Sequence, residues 1–300
     1  MNYTKELKLV FFGGSDLSVY VLDELKLHGI LPTLIITTPD KPKGRKLVLT
    51  PTPVKVWAQN HNIEVIDPVS LKKDNADLIS KLQALNSQLF LVASYGKLIP
   101  REIFEIPQHK TLNIHPSLLP KYRGASPIIS QILNAIGPEQ SEGKDEEVGV
   151  SVMVISEGMD EGPVVIQKIT SLDYIPNRKE LEKLLAIEGA RLFVHILPEW
   201  LEGAIDPIMQ NEELATFCSK IKKEDGLLDI DLNDLGKNAR QNLLKIKAFE
   251  GWPTAYFFLN NKRIIITDAK LEEENLKILK VLPEGKKEMS FEDFLRGLRN

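Results

Sequence analysis

Leu7 to Phe12 form a short apolar run that ends at Gly13-Gly14, and helical spacing through Leu17, Val21, Leu22 and Leu25 follows over Asp16 to Lys26. Strand, glycine turn and helix make a Rossmann-like beginning, here without a GxGxxG fingerprint. Apolar runs predict further strands at Leu34 to Thr37, Val65 to Ile66, Leu89 to Ala93 and Leu112 to Ile114, separated by helix-length segments near 53–60, 74–84 and 127–134. Such alternation implies an α/β fold with a mostly parallel sheet covered on both faces. Val150 to Ile155 and Val164 to Ile169 meet around the turn Gly158-Met-Asp-Glu-Gly162, which predicts a hairpin-type addition to that sheet. A long helix is expected after Asn177, with Glu180 at its third position, running through Leu181, Leu184, Leu185, Leu192 and Ile196 to about Leu201.

The pattern then changes. Gly203 to Glu213 has no clear period and contains Pro207, which reads as a linker. Beyond it, a helix is predicted at Asp234 to Phe249, then strands at Thr254 to Leu259 and Lys262 to Thr267 joined at Asn260-Asn261. A strand at Leu276 to Val281 and a last helix opened by Ser290 with Asp293 complete a small β-rich region. The expected domains are 1–203, a linker at 204–214, and 215–300.

Composition narrows the class. In 300 residues, 43% hydrophobic and 27% charged positions describe a soluble globular protein with a substantial core. The amino terminus Met1-Asn-Tyr-Thr-Lys-Glu lacks a secretory pattern and no segment approaches 18 uninterrupted apolar residues, so a cytoplasmic protein is expected, acting as a monomer. Cys218 is the sole cysteine, which excludes an intrachain disulfide; with no CxxC or HExxH spacing, no metal is expected, and Cys218 reads as a small buried apolar residue. The net charge of −4 argues against binding nucleic acid by bulk attraction. Its distribution differs: residues 215–300 hold 16 Lys and Arg against 14 Asp and Glu, leaving residues 1–214 at −6. One exception is Pro39 to Lys55, where Lys41, Lys43, Arg45, Lys46 and Lys55 against Asp40 give +4 within 17 residues. Its prolines limit disorder, and basic groups on such a loop can follow phosphates.

Chemistry concentrates after the fifth predicted strand. Pro116 and Pro120 cannot continue it, so Asn113 and His115 should sit where it opens into a loop, two residues apart and therefore on one side. The crevice outside the carboxyl ends of strands is the usual ligand site of an α/β sheet. His28, His61, His109 and His195 read as surface or packing residues, His195 as a packed residue of an apolar helix. An amide, an imidazole and the Asp160 carboxylate of the downstream turn suit acyl transfer to an amine. Asn113 and a protonated His115 can donate to a developing oxyanion, and Asp160 can hold His115 and receive the amine proton.

The run Asn113-Ile-His-Pro-Ser-Leu-Leu-Pro-Lys-Tyr-Arg-Gly-Ala-Ser-Pro127 with Met159-Asp-Glu-Gly-Pro163 resembles the formyltransferase family that uses 10-formyltetrahydrofolate. Thr38 to Lys55, Ser94-Tyr-Gly-Lys-Leu-Ile-Pro100 and Ala215 to Gly226 extend the resemblance over nearly the whole chain and point to its tRNA-directed branch. The resemblance implies a formyltransferase fold with a smaller OB-like carboxyl-terminal domain that binds tRNA. It implies a catalytic trio of Asn113, His115 and Asp160. It also implies folate contacts at Ser117, Leu118, Leu119 and Pro120 and at the strand end containing Val92, Tyr95 and Gly96. The basic loop, with Lys43, Arg45 and Lys46, would meet the acceptor end of methionyl-initiator tRNA.

Three departures from the family pattern stand out. Gly13-Gly14-Ser15 replaces a more usual Gly-Thr-Pro, Gly137 to Glu147 is long and acidic, and the second domain is short for a complete barrel. An amino-sugar nucleotide could be the acceptor instead, although the basic loop and the Ala215 to Gly226 match disfavour it. A glycinamide ribonucleotide acceptor fits less well, since such relatives lack a domain like 215–300. A catalytically silent tRNA-binding protein is disfavoured by the intact trio.

Overall fold

The computed structural model describes residues 7–44, 47–73, 75–134 and 146–298. The described residues fall into two compact units, the first within Met1–Arg123, Gly149–Ile169 and Glu182–Phe217, the second within Gly124–Val148, Thr170–Leu181 and Cys218–Asn300. Along the chain come β1 (Leu9–Gly13), α1 (Asp16–Leu27), β2 (Leu34–Ile36), β3 (Lys41–Lys43), β4 (Val48–Thr50), α2 (Pro53–Asn60), β5 (Glu64–Ile66), α3 (Ala76–Ala84) and β6 (Leu89–Ala93). They are followed by α4 (Arg101–Phe104), β7 (Thr111–His115), β8 (Arg123–Gly124), α5 (Pro127–Asn134), β9 (Glu146–Val154), β10 (Val164–Leu172) and α6 (Arg178–Leu201).

The main sheet has seven strands in the order β10-β9-β7-β6-β1-β2-β5. β5, β2, β1, β6 and β7 run parallel, and β9 pairs antiparallel to β7. Continuous apolar runs suit strands covered on both faces, and every residue of β1, β2 and β6 is buried. Val10, Phe12, Leu34, Ile36, Phe90 and Val92 pack with Leu78 and Leu82 of α3 in one core cluster. From β1 the chain builds outward through β2 and β5, then returns to the other side of β1 for β6 and β7. The strand order therefore reverses between β1 and β6, the switch point where such sheets open a crevice.

That point demands close approach of α1. A Cβ on Gly13 would lie 2.8 Å from both Cβ and Oγ of Ser18, so only glycine fits. Ser18 Oγ donates to the Ala93 carbonyl at 2.6 Å and accepts from the Gly14 N–H at 3.0 Å, tying the ends of β1 and β6 to the helix.

The basic stretch read as a loop is instead an antiparallel pair: β3 and β4 match Lys41 with Thr50, Pro42 with Leu49 and Lys43 with Val48. Thr52 caps α2 through the Lys55 N–H, with Pro53 in the first turn. The expected capping box at Asn177 is present: its side chain accepts from the Glu180 N–H at 3.0 Å, and Glu180 accepts from the Asn177 N–H at 2.8 Å. His195 does not pack; it lies on the exposed side of α6, whose buried side carries Phe193, Ile196, Leu197 and Trp200.

After β11 (Phe217–Cys218), the second unit holds α7 (Ala239–Ala248), β12 (Tyr256–Leu259), β13 (Lys262–Glu272), β14 (Asn275–Pro283), β15 (Met289–Ser290) and α8 (Phe291–Arg296). β12 to β15 form a linear four-stranded antiparallel sheet. Its core joins Phe257, Ile264, Ile266 and Val281 to Leu243 and Ile246 of α7 and to Phe291 and Phe294 of α8. Asn260 and Asn261 both have positive φ, the conformation a two-residue hairpin of the primed type requires. The helix expected from Asp234 begins only at Ala239. The Asp234 carboxylate takes the N–H groups of Gly236 and Lys237, and Asn238 is left-handed, so residues 234–238 form a turn. Trp252 is half exposed beside a buried Pro253. Cys218 is buried, and its sulfur accepts from the Ser126 N–H at 3.3 Å.

Gly189 of α6 marks where that helix sits on the sheet, since a Cβ there would collide with the Ile114 and Val150 side chains. Gly189→Ala is expected to destabilise the fold by up to about 2 kcal/mol, because overpacking of about 1–3 kcal/mol is set against a gain of about 1 kcal/mol in helix propensity. Urea unfolding checks this, with an unchanged or raised midpoint as the contrary result.

Candidate active site

Alternation along β7 sorts its residues. Ile114 faces α6 at Gly189, so Asn113 and His115 share the opposite face, as the two-residue spacing implied. Asn113 is half-buried, and His115 is only 4% exposed. A buried imidazole needs partners on both nitrogens. Nε2 donates to the Tyr122 carbonyl at 3.1 Å, and Nδ1 lies 3.6 Å from Oδ1 of Asp160. With Nε2 committed to a carbonyl, the Nδ1 edge is the one available to Asp160 and to a reacting group. Asp160, in the turn between β9 and β10, adopts φ 55°. The structure thus brings together His115 and Asp160, 45 positions apart in the chain, with Asn113 two residues from His115.

The segment after β7 is held over the same face. Ser151, paired with His115 across β7 and β9, donates through Oγ to the Ser117 carbonyl at 2.5 Å and accepts from the Leu119 N–H at 3.1 Å. Gln167 Nε2 donates to the Leu119 carbonyl at 2.7 Å and to Ser151 Oγ at 2.8 Å. Ser117 Oγ closes the loop on the Lys121 carbonyl at 2.7 Å. Leu118 and Pro120 are half-buried while Ser117 and Leu119 are buried, so this loop offers apolar edges and backbone rather than charge.

At the end of β6, Val92 is buried, Ser94 and Gly96 have positive φ and are exposed, and Ser15 Oγ donates to Ser94 Oγ at 2.8 Å. The Tyr95 ring turns inward against the edge of Phe12. It is 3% exposed, burial pushes its pKa up to about 12, and its hydroxyl has no partner among the described residues. Space around Gly96 is open.

Between the ends of β1 and β2 and the β3–β4 pair lies a cleft of about 180 Å³, lined by Gly14, Thr38 and Thr52, by Lys41, Lys43 and Thr50 of the pair, and by the flanking Pro39, Pro51 and Pro53. Sequence patterning gave no sign of it. A larger hollow of about 380 Å³ in the second unit, lined by surface residues such as Glu272 and Lys277, holds no comparable chemistry. Lys43 is exposed on β3; Arg45 and Lys46 lie outside the described residues. Lys55 is not a free cation of this segment. Hydrogen bonds to Asp40 at 2.8 Å and Asp67 at 2.7 Å hold it in place and push its pKa up. Burial, and then the Lys41 charge, push Lys97 down, and its ammonium donates to the Pro68 and Val69 carbonyls.

Arg123 belongs to the quoted run but carried no assigned role. Its guanidinium, 2% exposed, meets Glu212 at 2.9 and 2.7 Å and Gln210 Oε1 at 3.0 and 2.8 Å, and the hydrogen bonds to Glu212 push it further up. Residues 210 and 212 had no readable pattern. Among the described residues, no group of three His, Cys, Asp or Glu could hold a metal, and no helix is long and apolar enough to cross a membrane.

A sheet that switches strand order, with an amide and an imidazole on β7 and a carboxylate on the β9–β10 turn, has the groups that suit acyl transfer. The sequence model of the formyl transferase family matches residues 7–197, and the chain belongs to that family. Among its relatives, the methionyl-tRNA formyltransferase of Thermodesulfovibrio yellowstonii is 34% identical, over 96% of this chain and 95% of the relative. That of Bacillus pumilus is 35% identical over 97% and 94%. Among solved structures, methionyl-tRNA formyltransferase from Clostridium thermocellum aligns with TM-score 0.58 at 17% identity, covering 92% of this chain and 98% of that one. A 4-N formyltransferase from Francisella tularensis aligns with TM-score 0.62 at 19% identity over 89% and 98%. At these identities the structures share the fold.

Two variants test the framework. Ser151→Ala leaves the Leu119 N–H and the Ser117 carbonyl without their partner and is expected to cost about 1–3 kcal/mol in urea unfolding. Tyr95→Phe removes a buried hydroxyl that has no partner among the described residues and is expected to raise stability by about 1 kcal/mol in the same measurement.

Proposed function

We propose that the chain transfers the formyl group of 10-formyltetrahydrofolate to the amino group of methionyl-initiator tRNA, acting as a monomer in the cytoplasm. The observation that carries this reading is the His115–Asp160 pair, Nδ1 to Oδ1 3.6 Å, on the strand face that also bears Asn113. Full-length relatives named for methionyl-tRNA support the acceptor, as do the exposed Lys41 and Lys43 on the β3–β4 pair. Solved relatives described with folinic acid and tetrahydrofolic acid support a folate donor.

Attack of the acceptor amine on the formyl carbon forms a C–N bond and turns the carbonyl oxygen into an oxyanion. Asn113 Nδ2 and, in the imidazolium form, His115 Nδ1–H supply donors for that charge, held before the reaction by β7 and by the Tyr122 carbonyl. The His115–Asp160 pair accepts the amine proton. Collapse breaks the bond to folate N10; the pair returns the proton there, releasing tetrahydrofolate and formylated acceptor. Ser117 to Pro120 and the strand end Val92 to Gly96 line the donor side with backbone and apolar groups. Lys43, with Arg45 and Lys46, follows acceptor phosphates.

Incubation with the formyl donor and either charged initiator tRNA or an amino-sugar nucleotide is the direct test, with formylated tRNA as the expected product. Formylation of the sugar alone, or of neither, contradicts the proposal. Asn113→Ala and His115→Ala are each expected to lower kcat by about 10²-fold. The donor KM should change by no more than about twofold. Unchanged single-turnover rates remove the residue concerned from the mechanism.

A further inference from the structure

The aperiodic stretch Gly203 to Glu213 is fastened to the strand and turn that carry Asp160. Ile208 and Val164 exchange backbone hydrogen bonds of 2.8 Å in both directions. Two residues on, Gln210 Nε2 donates to the carbonyl oxygens of Asp160 at 2.8 Å and Gly162 at 2.7 Å. Its Oε1 accepts from Arg123 Nε at 3.0 Å and Nη2 at 2.8 Å. A guanidinium only donates and a carbonyl only accepts, so one orientation of the amide satisfies all four bonds, and its whole capacity is used.

These bonds reach both sides of the His115–Asp160 pair. Arg123 follows Tyr122, whose carbonyl holds His115 Nε2 at 3.1 Å. Asp160 itself sits opposite Nδ1. Asp160 and Tyr122 have φ of 55° and 60°, left-handed conformations that side-chain-bearing residues keep only where their surroundings over-determine them. The two bonds from Gln210 hold the backbone of Asp160 itself and of Gly162 two residues on, and the two from Arg123 anchor the residue after Tyr122.

We propose that Gln210 is a positioning residue: its amide links the Asp160 turn to the Tyr122–Arg123 segment and thereby sets the separation of Asp160 from His115. It touches neither reactant and acts through Asp160. The proposal rests on the reading of Asp160 as catalytic, so its test must separate the two.

Gln210→Glu keeps the side-chain length and an acceptor for Arg123 but sets an oxygen against two carbonyl oxygens; Gln210→Met removes both functions. Single-turnover formylation of charged initiator tRNA is compared in wild type, Asp160→Asn, the Gln210 variants and the doubles. The single Gln210 variants are expected to lower kcat on the order of tenfold, with both KM values nearly unchanged, because a small misplacement of a catalytic group is costly to the rate. In the Asp160→Asn background the same substitution should add almost nothing, since the group it positions is already gone. Full activity of Asp160→Asn would overturn the catalytic reading, and the positioning role with it. A defective Asp160→Asn beside fully active Gln210 variants would overturn the positioning role alone. Multiplying losses in the double variants, or a rise in KM without a fall in kcat, would also overturn it. If Gln210→Glu fails to fold, the cycle is read on Gln210→Met; loss of the fold in both would assign Gln210 to the fold itself and refute the proposal.

Discussion

The site depends on one strand pairing. β7 is bonded to β6 in parallel register, Val92 beside Asn113, and to β9 in antiparallel register, Ser151 beside His115. Because side chains alternate, this double register decides that Asn113 and His115 share a face, and that Ser151 stands there to hold the loop after His115. It also carries β9 back to Val154 beside Leu112, at the start of β7, from where the turn returns Asp160 to the imidazole. A one-residue slip of β9 would turn Ser151 to the face of α6 and displace the turn.

Buried polar groups around this pairing carry a cost unless they are satisfied together. His115, Arg123 and Ser151 are all buried, and each finds partners on a different segment: the Tyr122 carbonyl, Glu212 with Gln210, and the backbone of Ser117 and Leu119. In a low-dielectric setting, satisfied bonds strengthen and unsatisfied ones penalise, so such a network specifies one arrangement of loops. Breaking the Arg123–Glu212 pair would leave a buried charge. That is a stronger constraint than the attraction between the two ions, since Glu212 is largely exposed.

The basic segment shows how a count of charges can mislead. Five cations over Pro39 to Lys55 suggested a uniformly positive loop, yet Lys55 is spent between Asp40 and Asp67. The backbone of 41–43 and 48–50 is paired, presenting Lys41 and Lys43 beside exposed Val48 and Leu49. The surface is therefore mixed, cationic and apolar, on an ordered ribbon above a cleft at the ends of β1 and β2.

Local patterns alone determined much of this protein. Buried runs such as Leu89 to Ala93 could only be covered strands, the Asn177–Glu180 and Ser290–Asp293 spacings fixed two helix starts, and Asn260-Asn261 fixed a hairpin. Pro116 stopped β7 beside His115, and the run from Asn113 to Pro127 carried the family resemblance. These features rest on interactions within a few residues, which sequence spacing encodes. Where contacts join distant segments, spacing is silent. No local rule aims Asp160 at Nδ1 of His115, turns the Tyr95 ring into the core, neutralises Lys55, or bonds Gln210 to a turn 50 residues earlier. The helix expected from Asp234 starts five residues late through a local competition that periodicity ignores, the Asp234 carboxylate capturing backbone N–H groups. Residue chemistry set which groups could react; tertiary pairing decided which of them meet.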